Sequence, residues 1–124
     1  MKTKIKFILP QLAVMIASFN SSAQTWTATI AGMSGGETTV KQLLSDSVLT
    51  MKEPGMMVTS FRMSAYIKDK DPVEAKSSSA NLTSSMRDAI SNSTPGTKIY
   101  FEYIKAINAK GDTLKISPMA FVIK

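Results

Sequence analysis

Apolar and polar residues alternate with period two in several stretches of the chain, and two shorter stretches carry the i, i+3, i+4 spacing of a helix face. Thr25 to Ala31 sets Trp26, Ala28 and Ile30 on one face and threonines on the other, which predicts a half-buried strand. Gly32-Met-Ser-Gly-Gly36 breaks it, and Thr39-Val-Lys-Gln42 then offers a capping box for a short helix faced by Val40, Leu43 and Leu44. A strand is predicted from Val48 to Lys52, closed by the turn signal Glu53-Pro54-Gly55. Met57 to Ile67 carries the clearest alternation, with Met57, Phe61, Met63, Ala65 and Ile67 on the expected core face. Lys68 to Lys76 and the serines behind it are predicted as a charged, mobile loop.

Thr83 is placed to cap a second helix faced by Met86, Ala89 and Ile90, and Pro95-Gly96 turns the chain after it. Ile99 to Ile107 is rich in aromatic and β-branched residues and predicts a strand. Its alternation is imperfect: Ile99, Phe101 and Tyr103 share one face, Ile104 and Ala106 the other. Either both faces are partly covered or a bulge shifts the phase. A hairpin loop at Asn108 to Asp112 leads into Thr113 to Lys124, whose phase changes in the same way at Ser117-Pro118. The expected fold is mainly β, an antiparallel Ig-like β-sandwich with two short helices.

The N-terminus follows a different logic. Lys2, Lys4 and Lys6 precede the apolar run Phe7 to Ala17, and Ser21 and Ala23 put small side chains at −3 and −1 of a cut before Gln24. These are the three zones of a cleavable signal peptide, and the run is far shorter than the roughly 20 apolar residues of a membrane span. The expected organisation is a signal peptide at 1–23 and one domain at 24–124, periplasmic or secreted, with no membrane insertion after cleavage. With no cysteine, neither a disulfide nor a lipid-bearing Cys is available. Losing the three N-terminal lysines lowers the net charge from +6 to +3, since 12 basic and 9 acidic residues remain. Those basic residues are scattered singly, without the stripe that phosphate tracking requires, so no nucleic-acid partner is expected.

The chain has no histidine either; without imidazole it lacks the usual general base, and without thiolate the usual soft nucleophile, and without both it lacks ordinary zinc ligation. No catalytic residue, metal ligand, cofactor or small-molecule substrate is expected, and the protein is not expected to be an enzyme. Asp69, Asp71 and Glu74 alternate with lysines and lack the glycine of a tight calcium loop, so they are expected to be solvated.

Several motifs occur in a particular order: Ser34-Gly-Gly-Glu37, a short helix, the Phe61/Met63 strand, Leu82-Thr-Ser-Ser-Met86, Pro95-Gly-Thr-Lys-Ile-Tyr-Phe-Glu102, Lys110-Gly-Asp112 and a closing Phe121-Val-Ile-Lys. In this order the chain resembles the C-terminal domain of the gliding-motility and type IX secretion protein GldM of Bacteroidetes, from about Ile30 to Lys124. The resemblance implies an Ig-like β-sandwich in the periplasm that serves protein contacts and has no catalytic residues. It differs in being one domain, with a segment built for cleavage where the family protein keeps an anchor, so a force-transmitting rod is not expected.

The function expected is a non-enzymatic interaction module whose partner is another cell-envelope protein. The expected contact residues are the Met56–Met57 pair, because methionine adapts to a partner's surface, the charged Lys68, Asp69, Lys70 and Asp71, and the tyrosines Tyr100 and Tyr103. The alternative is a small ligand-binding or inhibitor domain that uses the 68–79 loop.

Overall fold

A computed structural model of the chain describes residues 26–124. The expected signal segment, residues 1–23, lies outside the described residues, as do Gln24 and Thr25. Among the described residues, eight strands and two helices occur in the order β1 (Trp26–Ile30), β2 (Gly36–Thr38), α1 (Val40–Leu44), β3 (Leu49–Met51), β4 (Met57–Tyr66), β5 (Val73–Ser77), α2 (Ser84–Ser91), β6 (Lys98–Ile107), β7 (Thr113–Ser117) and β8 (Met119–Ile123). The fold is mainly β, as its alternating runs require.

The strands join into one curled, mixed sheet around β6. One edge of β6 pairs antiparallel with β4 from Tyr66↔Lys98 to Met57↔Ile107. Its other edge is divided, with β8 along Lys98–Phe101 and β7 along Lys105–Ile107. The β7–β8 arm then carries β1 beside β7 and β2 beside β8. Both of these pairings are parallel, a departure from the all-antiparallel expectation. They arise because β1 and β2 run alongside the last two strands of the chain, a contact that no local pattern encodes. β3 adds antiparallel to β1, and β5 to β4.

Both helices begin where their hydroxyl caps predict. The Thr39 hydroxyl accepts from the Gln42 N–H at 3.1 Å and the Thr83 hydroxyl from the Met86 N–H at 3.3 Å. Leu43 of α1 and Met86, Ala89 and Ile90 of α2 are buried in the core, where α2 packs against β4 and β5. On the sheet's inner face Phe101 stands between Phe61 and Phe121, each ring centroid 5.9 Å from its own. Tilted and edge-on contacts of this kind suit the aromatic quadrupole.

The expected charged loop is shorter than its composition implies. It ends at Pro72, and Val73–Ser77 is strand β5, paired from Ala65↔Val73 to Phe61↔Ser77. Glu74 and Lys76 are exposed while Ser77 is buried, so the strand's period was present beneath the charges.

The phase changes in the long strands have a common cause. The buried positions pass from Val58 to Phe61 in β4, from Phe101 to Ile104 in β6, and from Ile116 to Met119 across β7–β8. Each interval is three residues instead of two. Yet Phe101↔Met119 and Lys105↔Lys115 keep one common register, as do Arg62↔Glu102 and Val58↔Ala106, with a displaced Ser60↔Lys105 between them. A bulge in one strand alone would shift its register permanently. Here the strands step together, so the ladder closes again beyond a crease that crosses the sheet.

In β6 the step is taken at Tyr103, whose φ of 51° lies in the left-handed region. In the neighbouring arm it falls at Ser117-Pro118, where proline has no N–H to offer the ladder. In β4 the Thr59 hydroxyl donates to the Lys105 carbonyl at 3.3 Å. Two expectations are corrected by the crease. Met57 is 60% exposed instead of facing the core, and Tyr103 leaves the face of Ile99 and Phe101 to stand 66% exposed.

Candidate functional site

The crease gathers side chains that are far apart in sequence. The Arg62 guanidinium lies 4.3 Å from the centroid of the Tyr103 ring, a cation–π contact. Its Nη2 is 3.8 Å from Glu102 Oε1, across a register pair of β4 and β6. Both groups are about one-third exposed, so this ion pair orients the guanidinium more than it stabilises the fold, contributing about 0–1 kcal/mol. The Arg62 Nε is buried and has no hydrogen-bond partner among the described residues. An unmatched buried donor is uncommon in a folded protein.

Tyr103 separates two clefts. The first, about 440 Å³, is lined by Arg62, Lys76, Lys105, Ser77, Ser78 and the Tyr103 ring, together with Ser60 and Phe61. Three cations face it and no carboxylate does. The second, about 430 Å³, lies over Ile104, Ile116 and Pro118 and is bounded by Lys105, Lys115, Glu102 and the same tyrosine. It is the more apolar of the two.

The residues expected from sequence do not fall at one place. Met56 is half-buried against the core and Met57 projects into solvent at one end of β4. Lys68, Asp69, Lys70 and Asp71 are exposed in the turn after the opposite end, where Asp69 adopts φ 63° and the Lys70 N–H donates to Ile67 O at 3.1 Å. The nine residue steps of β4 set these two groups roughly 30 Å apart. Tyr100 is half-buried on the outer face, edge-on to Tyr66 with centroids 5.6 Å apart. Only Tyr103 of the expected set lines the two clefts. Glu74, expected beside Asp69 and Asp71, is carried away on β5, and among the described residues no three His, Cys, Asp or Glu side chains form a group that could hold a metal.

Sequence reasoning missed Arg62, Glu102 and Lys105, each of which looks like an ordinary solvent-face charge in its own strand; Lys76 entered only through the 68–79 loop of the alternative reading. Their convergence appears only when the pairing of β4 with β5 and β6 is known.

The family model of the GldM C-terminal domain matches residues 27–124. The chain belongs to this family. The match includes every residue of the crease and both clefts. The GldM family is a structural component of the gliding-motility and type IX secretion machinery, a multi-protein assembly of the cell envelope, and is not a known enzyme family. A search of curated proteins finds no match to the chain. Among the described residues no helix is long and apolar enough to cross a membrane. The crease around Tyr103 joins a left-handed aromatic residue to a cleft lined by three cations.

Proposed function

We propose that this GldM-family domain is a non-enzymatic protein–protein interaction module of the cell envelope, exported by the signal segment at 1–23 and contacting a partner protein through the outer face of β4 and β6. The observation that carries this reading is Tyr103. A large aromatic side chain is held in left-handed backbone, at a cost of about 1–2 kcal/mol, only to be turned 66% into solvent beside an arginine. Strain of this kind is retained where a side chain must be presented. Tyrosine and arginine are also the residues that most often dominate contact surfaces. Export would place the domain in the periplasm or outside the cell, and the family's place in the envelope supports that setting.

The test is site-specific photo-crosslinking in the native host. A benzoylphenylalanine replacing Ser78, at the rim of the first cleft, is expected to trap one envelope protein in good yield. The same group replacing Lys110, in the distant hairpin loop, is expected to trap none. Equal labelling from both positions, or from neither, overturns the assignment of this face. N-terminal sequencing of the purified protein is expected to begin at Gln24, and recovery of an intact Met1 would reject the export reading.

A further inference from the structure

The geometry points to a particular partner chemistry at this surface: an extended peptide segment whose acidic side chain enters the first cleft and whose adjoining apolar side chain covers the second. This rests on the interaction-module reading and specifies what the module recognises.

Charge supplies the first half of the argument. Arg62, Lys76 and Lys105 line one cleft, together with Ser77 and Ser78. The acid paired with Arg62 Nη2, Glu102, lines the second cleft instead. A carboxylate is the peptide group that satisfies a guanidinium and two ammoniums at once, through charge-assisted hydrogen bonds.

The second half comes from continuity. Tyr103 and Lys105 belong to both clefts. A ligand that fills the two must therefore place a negative group on one side of the tyrosine ring and an apolar group on the other, over Ile104, Ile116 and Pro118. Side chains of an extended peptide project alternately and meet this demand without folding. A free phosphate or a lipid headgroup matches the first cleft and leaves the second uncovered.

The probe is a positional-scanning library of N-acetylated, C-amidated octapeptides, presented to the protein purified after expression of the full chain. Asp or Glu is expected to be enriched at one position and Leu, Ile or Phe beside it. Replacing that acid by its amide is expected to weaken binding about tenfold or more, and raising salt to roughly 0.5 M is expected to weaken it further. Arg62→Gln and Lys76→Gln are expected to lose the acid preference while keeping the wild-type circular dichroism spectrum. Lys110→Gln is expected to keep the preference. The inference is overturned if no acid is preferred over its amide, if the preference survives Arg62→Gln with Lys76→Gln, or if inorganic phosphate or phosphatidylglycerol vesicles displace the selected peptide at equal charge concentration. The two proposals fail separately. A Ser78 crosslink that persists in the Arg62→Gln, Lys76→Gln variant leaves the module standing and removes its acidic partner, whereas loss of every crosslink in the wild type removes the module itself.

Discussion

Phe101 and Tyr103 sit two residues apart in β6, and simple alternation would give them one face and one role. The structure separates them, and paired substitutions test that separation. Phe101 is fully buried and touches the rings of Phe61 and Phe121. Phe101→Ala is expected to cost about 3–5 kcal/mol from lost burial and the cavity left behind. Tyr103→Gly is governed by opposing terms. Glycine relieves about 1–2 kcal/mol of left-handed strain. Against this stand about 0.5–1 kcal/mol for the lost cation–π contact, about 0.5–1 for glycine's backbone entropy, and about 1 for the ring's remaining buried surface. The net loss falls between about 0 and 2 kcal/mol. In a domain of this size each kcal/mol moves Tm by about 4–8 °C, so the two variants separate clearly. Urea unfolding followed through the single tryptophan, Trp26, measures both. If Phe101→Ala does not fold while Tyr103→Gly does, the larger loss at Phe101 is shown directly. A loss above 3 kcal/mol for Tyr103→Gly, or a loss for the Phe101 variant no larger than that for Tyr103→Gly, would refute the crease as described.

Two further substitutions probe the frame. Gly55 has φ 78°, and a Cβ there would sit 3.1 Å from the Ala109 side chain, whereas Gly111, at φ 84°, has open space around it. Gly111→Ala is expected to cost about 1–2 kcal/mol from backbone strain alone, and Gly55→Ala measurably more; equal thermal shifts would show that the turn before β4 does not rest on the 108–112 hairpin loop. Thr83→Ala removes the acceptor of the Met86 N–H and is expected to cost about 1 kcal/mol, read as a lower urea midpoint with unchanged slope; an unchanged midpoint would mean that α2 is held by its buried Met86, Ala89 and Ile90 alone.

What the sequence by itself determined are the features whose causes are local. The hydroxyl caps at Thr39 and Thr83, the turns at Pro54-Gly55 and Pro95-Gly96, and the β-forming run at 99–107 rest on one residue's own chemistry or on neighbours a few positions away. The order of these motifs was also enough to place the chain in its family. Tertiary pairing decided the rest. The phase change within β6 was visible as imperfect alternation, but one strand cannot distinguish two covered faces from a bulge. That choice was made by β4 and the β7–β8 arm, which step at the same line and so restore the ladder. Val73–Ser77 became a strand because the edge of β4 was open to it, although its charges resemble those of a loop. The same pairing turned Tyr103 outward and brought Arg62, Lys76 and Lys105 to it from three strands. A side chain's face is a local property only while the strand's period is unbroken, and the candidate site lies where that period breaks.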